Sequence, residues 1–198
     1  MSEDESKPLR LNEPAPDFLA AATTGFVQLV DFAGRWLVLF SYVNDFTPVC
    51  TSEVVAFAER AKDFEKRGVK LVGLSADGIH AHIAWLNSDT MPAKIPFPII
   101  ADLEGEIARA YGMVHPASPA SGVRSRGPVR VNRCTFVIDP AQNVRAMIHY
   151  PMTVGRSVEE ILRVVDALMY GDETGLNTLA NWKAGEKGVA PPPTTIER

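Results

Sequence analysis

The 198 residues carry 46% apolar and 22% charged side chains, close to the average of globular proteins, so a sizeable core is expected and general disorder is not. A formal net charge of −4 and the lack of any Lys/Arg run argue against a surface that tracks nucleic acid. The longest apolar run, Trp36 to Phe40, falls far short of the roughly 20 residues of a membrane span, and the acidic, polar start Met1 to Arg10 is unlike a signal or transit peptide, so a cytoplasmic protein is expected.

Length favours one compact domain, taken as residues 11–170, with a flexible start at 1–10 and an extended arm at 171–198. Leu11 to Ala20 holds Pro14 and Pro16 around Phe18, and because proline removes a donor and biases its predecessor away from helix, this segment reads as an entry loop. Phe26 to Val30 alternates weakly. Trp36 to Tyr42 is a nearly continuous apolar run, the pattern of a central strand buried on both faces. From Pro48 to Arg67 the apolar residues Val49, Val54, Phe57, Ala58, Ala61 and Phe64 recur at helical spacing, and Gly68 supplies a stop, which predicts one helix of about five turns.

Val69 to Ser75 is a second apolar strand, so strand, helix and strand form a unit with parallel, right-handed pairing. A helix at Ile79 to Leu86, a strand at Phe97 to Ile100 and a helix at Leu103 to Tyr111 continue the alternation of an α/β protein. Pro116 to Pro128, dominated by Ser, Gly, Pro and Arg, reads as a loop. Arg133 to Ile138 and Val144 to Tyr150 are strands joined across the turn-rich Asp139 to Asn143. Ser157 caps a last helix through Leu168, with Glu160 at capping-box spacing, and the Gly- and Pro-rich residues from Gly171 onward form the arm.

The chemistry centres on Cys50. Thr47 suits a helix N-cap and Pro48 the first helical position, which makes Cys50 the third helical residue after a buried strand. Unpaired amides and the helix dipole favour an anion there, so the thiolate is expected to act as a nucleophile. An inert buried thiol is the common fate of a cytosolic cysteine, but α/β folds place their sites where a central strand turns into a helix. Arg133 opens an apolar strand, and a charge in that position needs a partner or a cleft.

The segment Asp45-Phe46-Thr47-Pro48-Val49-Cys50-Thr51-Ser52-Glu53 resembles the peroxidatic segment of peroxiredoxins, specifically of the one-cysteine subfamily. The resemblance runs from Leu11 to the Pro-rich tail, through Leu71 to Asp77, Tyr111-Gly112-Met113, Phe136 to Pro140, Tyr150-Pro151 and Val154-Gly155-Arg156. It implies a thioredoxin-like fold with a central mixed sheet flanked by helices, and thiol-dependent reduction of hydrogen peroxide and alkyl hydroperoxides. In that reading Cys50 attacks the peroxide, Thr47 hydrogen-bonds a peroxide oxygen and Pro48 shields the thiolate. Arg133 holds thiolate and substrate, Glu53 supports the arginine network, and Arg156 orients Glu53. The resemblance further implies regeneration of a Cys50 sulfenic acid by an external thiol of thioredoxin, glutaredoxin or glutathione type, without metal or organic cofactor. A homodimer or higher homo-oligomer, with the arm Gly171 to Arg198 crossing to a partner, is also expected. The family usually has His and Pro where this chain has Tyr42 and Val43, so a hydroxyl replaces an imidazole near the site.

Cys134 follows Arg133 directly, and successive strand residues point to opposite faces, so it is expected to face away from the site as a small buried apolar residue rather than a resolving cysteine. His80 and His82, two apart on a helix, do not share a face, and His115 and His149 lack neighbours at ligand spacing, so no metal site is expected. A disulfide reductase is disfavoured because Cys50 is followed by Thr51, Ser52 and Glu53 instead of a Cys-x-x-Cys pair, and no Gly-x-Ser-x-Gly elbow supports a lipid hydrolase. The alternative from another class is a non-enzymatic chaperone or redox-signalling scaffold on the same fold.

Overall fold

The computed structural model describes residues 8–115 and 129–192; the expectations for residues 1–7, the loop 116–128 and residues 193–198 lie outside them. The strands are β1 (Leu19–Ala22), β2 (Gly25–Gln28), β3 (Trp36–Ser41), β4 (Val69–Ser75), β5 (Ile99–Ala101), β6 (Arg133–Ile138) and β7 (Val144–Tyr150). The helices are α1 (Pro48–Glu59), α2 (Ala61–Lys66), α3 (Ile79–Leu86), α4 (Glu106–Ala110) and α5 (Val158–Thr174). The chain divides into two compact units, one ending at Arg156 with the sheet and α1 to α4, the other beginning at Ser157 with α5.

The first unit is α/β, built on one mixed sheet in the order β2-β1-β5-β4-β3-β6-β7. β3, β4 and β5 run parallel, whereas β6 lies antiparallel to β3 and to β7. All six residues of β3 are buried, as its unbroken apolar run requires of an interior strand. Pleating divides the residues between two faces. On one face Leu37, Leu39, Val72, Leu74, Cys134, Phe136 and Ile138 join Phe18, Ala108 and Tyr111 in one apolar cluster. On the other, Phe40 of β3 stacks on Phe57 of α1 with ring centroids 3.9 Å apart, which lays α1 across that face. Burying a ring such as Phe57 contributes roughly 1.5–3 kcal/mol.

Five elements differ from the expectations, among them β5, which covers Ile99–Ala101 instead of Phe97 to Ile100. β1, whose Leu19 and Ala20 fall in the expected entry loop, pairs with β2 and touches β5 at Ala22↔Ile100. Its Ala-Ala-Ala carries little strand propensity, so pairing rather than local preference makes it a strand. The single helix over Pro48–Arg67 is interrupted at Arg60 (φ −95°, ψ 2°), yet Phe57 and Phe64 stay on one stripe with rings 6.2 Å apart, which is why the periodicity carries no sign of the break. Gly68 ends the second piece at φ +72°, as a stop glycine should.

α4 starts at Glu106 rather than Leu103, because the Asp102 carboxylate takes the amides of Ile107 and Ala108 at 3.2 and 2.7 Å. α5 runs to Thr174, past the expected start of the arm at Gly171, and stops at Gly175 with φ +69°. Half of its capping box forms. Ser157 Oγ accepts the Glu160 amide at 3.2 Å, while the Glu160 carboxylate turns to Arg163.

Candidate active site

β3 ends at Ser41, and residues 42–47 carry the chain over to α1. Thr47 is the N-cap residue in extended conformation and Pro48 occupies the first turn, but the Thr47 hydroxyl does not cap the helix. It donates instead to the Asn44 carbonyl at 3.0 Å. Cys50 thus occupies the third helical position, as its sequence suggests, and its side chain is fully buried. Thr47 is half-buried and Pro48 exposed beside it in sequence.

Arg133, the first residue of β6, reaches across to the sulfur: Nη1 donates to Cys50 Sγ at 3.3 Å and to Glu53 Oε2. Its Nε donates to the Met152 carbonyl at 2.9 Å, which fixes the plane of the guanidinium. Glu53 lies one turn after Cys50 on α1 and is 3% exposed. Arg156 grips it with Nε to Oε1 at 2.9 Å and Nη2 to Oε2 at 3.0 Å, and adds its backbone amide to Oε1 at 2.9 Å. Arg156 also donates to the Cys134 carbonyl at 2.9 Å and lies over the rings of Phe40 and Phe57 at 5.2 and 5.6 Å. Neither arginine is on the solvated surface, the usual place for this residue type.

The electrostatics follow from counting charges. Two buried guanidiniums share one buried carboxylate, which among the described residues leaves one positive charge without a formal partner beside a thiol. Buried charge is costly unless compensated, and the cluster meets the Cys50 sulfur with a guanidinium N–H at the first turn of a helix. Of the residues singled out in the sequence, Cys50, Glu53, Arg133 and Arg156 form one connected set; Thr47 and Pro48 enter as the cap and first turn of the same helix.

Cys134 has a different setting. It lies on the opposite face of β6 in the apolar cluster, its Sγ 3.4 Å from His149 Nδ1 on β7. Burial pushes its thiol up to about 11, outweighing the lowering by the Ser41 hydroxyl and the Arg156 charge, and pulls the His149 imidazole down. Tyr42 is buried, and its hydroxyl donates to Asp45 at 2.8 Å, with His82 of α3 facing the same carboxylate at 2.8 Å. Along the sequence His82 stands out only as a candidate metal ligand, and nothing local signals this contact, because its partner lies 37 residues away.

A model of the AhpC/TSA family matches residues 11–147. A peroxiredoxin of Thermoplasma volcanium is 45% identical over 192 residues, 96% of this chain and 90% of the relative. One of Aquifex aeolicus is 46% identical over 95% of this chain and 87% of its own. Among solved structures, a cysteine-to-serine mutant of peroxiredoxin 6 of Arenicola marina superposes with a TM-score of 0.84 at 36% identity, over 94% of this chain and 86% of that one. A yeast mitochondrial 1-Cys peroxiredoxin, solved for its thiol resolution via glutathione/thioredoxin systems, gives 0.80 at 38%, over 92% and 87%. The sheet and its helices are therefore the thioredoxin-like fold. With a family model spanning most of the chain and relatives this similar over nearly all of it, the chain belongs to the AhpC/TSA family, as a peroxiredoxin: a thiol-dependent peroxidase and hence an oxidoreductase.

Proposed function

We propose that the chain works as a one-cysteine peroxidase in which Cys50 is the only residue that cycles through oxidation. The observation that carries this reading is the Arg133 Nη1 contact to Cys50 Sγ at 3.3 Å, within a cluster that has one cation to spare. The Cys50 thiolate attacks one oxygen of hydrogen peroxide or an alkyl hydroperoxide, the S–O bond forms as the O–O bond breaks, and hydroxide or alkoxide leaves and takes up a proton. Sulfur loses two electrons to become sulfenic acid, and the peroxide gains them.

Arg133 then serves both states, donating to the sulfur before attack and to the oxygen gaining charge during it. The Thr47 hydroxyl has its proton committed to the Asn44 carbonyl, so its lone pairs are free to accept the peroxide O–H and orient the substrate. Glu53 holds Arg133 in place, Arg156 holds Glu53, and Pro48 shields the thiolate. An external dithiol or two monothiols complete the cycle: one thiol condenses with the sulfenic acid to a mixed disulfide and water, and the second displaces Cys50 as thiolate. The yeast relative, resolved via glutathione/thioredoxin systems, supports a reductant of that chemistry.

The position of Cys134 on the far face of β6 supports an external rather than an internal resolving thiol. We also expect a homodimer, to be measured by light scattering. The mechanism is tested by mixing reduced protein with a slight excess of hydrogen peroxide, trapping the product with a sulfenic-acid reagent and mapping the mass shift. Stoichiometric label at Cys50 alone supports the one-cysteine cycle; a Cys50–Cys134 disulfide makes it a two-cysteine cycle, and no oxidation favours the scaffold alternative.

A further inference from the structure

The crossing from β3 to α1 is pinned by two acids that take no part in the chemistry above. Asp45, 7% exposed, accepts the Tyr42 hydroxyl on Oδ1 at 2.8 Å and faces His82 Nδ1 on Oδ2 at 2.8 Å. His82 is fully buried, and its Nε2 lies 3.2 Å from the Ile100 carbonyl. Asp77, just past β4, accepts the Asp45 amide at 2.9 Å and the Ser75 hydroxyl at 2.8 Å on Oδ2, and the Asn44 side-chain amide on Oδ1 at 3.3 Å.

Between Asp45 and Thr47, Phe46 sits at φ +56°, a left-handed conformation that costs energy for a residue with a Cβ and persists where its surroundings over-determine it. The two carboxylates supply that over-determination, and its outcome is the Asn44 carbonyl that receives the Thr47 proton at 3.0 Å.

We infer that Asp45, held between Tyr42 and His82, is a positioning residue for peroxide reduction: it sets the Asn44 carbonyl that commits the Thr47 proton and leaves the Thr47 oxygen as acceptor for the peroxide O–H. This rests on the Thr47 role proposed above. Attack on a peroxide requires that orientation, whereas alkylation by iodoacetamide requires the Cys50 thiolate but no peroxide acceptor. The two reactions therefore report on different parts of the site.

The test is a double-mutant cycle of Thr47→Val and Asp45→Asn, with the second-order rates of Cys50 oxidation by hydrogen peroxide and alkylation by iodoacetamide measured for each protein. Asp45→Asn is expected to slow oxidation roughly 10- to 100-fold, as a misplaced orienting group does, while alkylation stays within about twofold. The double variant is expected to be no slower than Thr47→Val alone. Wild-type oxidation in Asp45→Asn, equal slowing of both reactions, or additive losses in the double variant would each overturn the inference. If Thr47→Val itself oxidises at the wild-type rate, the Thr47 role fails first and takes the inference with it. Should Asp45→Asn not fold, Tyr42→Phe removes one donor and keeps the ring packed on Trp85; a smaller slowing of oxidation alone is expected, and unchanged oxidation would refute the inference.

Discussion

Cys50 and Cys134 are both fully buried, both lie in the unit that holds the sheet, and they are chemically opposite. Cys50 occupies the first turn of a helix and meets the guanidinium of a cluster with a spare positive charge. Cys134 sits in a layer of Leu, Ile and Phe side chains beside an imidazole that burial pulls down. The comparison teaches that burial alone does not decide the fate of a thiol. What decides it is whether the surroundings offer donors and a cation to the sulfur: Cys50 on α1 meets the face of β6 that carries Arg133, whereas Cys134 points from the opposite face.

The contrast breaks most completely at the sulfur. Cys50→Ser is expected to abolish peroxide-dependent consumption of thiol, because a hydroxyl at that position is not a comparable nucleophile; turnover surviving in a coupled assay would move the chemistry elsewhere. Next comes the counter-charge. Glu53→Gln leaves two buried guanidiniums without their shared carboxylate, and loss of one member of such a set is expected to lower unfolding stability by about 3–5 kcal/mol in urea titrations. A much smaller loss would mean that the arginines are solvated in solution.

Arg133→Ala addresses the cation itself. Removing a donor aimed at developing charge is expected to slow oxidation by roughly 10²–10³-fold in stopped flow, and an unchanged rate would take Arg133 out of the site. The smallest effect is expected on the other side of the comparison. Cys134→Ala should oxidise at Cys50 as the wild type does. The folded Cys134 thiol keeps its proton to about 11 while the unfolded one releases it near the ordinary 9.0, so the folded state binds more protons in that window. Stability should therefore fall as pH rises from about 9 to about 11, by at most about 3 kcal/mol, and Cys134→Ala should lose that part of the alkaline dependence in pH-resolved denaturation.

Much of this was legible along the chain wherever the signal is local. The apolar runs of β3 and β4, the hairpin of β6 and β7, and Thr47-Pro48 ahead of Cys50 depend on neighbours in sequence, and each forms where its pattern predicts. Reading failed where a residue's state depends on something distant. Ala20 and Ala21 are strand only because Val27 and Phe26 pair with them. The Thr47 hydroxyl, a natural cap by local rules, turns back to Asn44 in a loop tied down by Asp77 and His82.

By itself the sequence determined the alternation of strands and helices, the place of Cys50 in the first turn of a helix, and the opposite facing of Arg133 and Cys134, because periodicity, capping and pleat act over a few residues. Only the tertiary structure decided that Arg133 and Arg156, 80 and 103 residues beyond Glu53, converge on its one carboxylate, and that Asp45 finds its partner in α3. Buried charges must find partners, and which partners are in reach is set by the packing of the sheet and its helices, not by spacing along the chain.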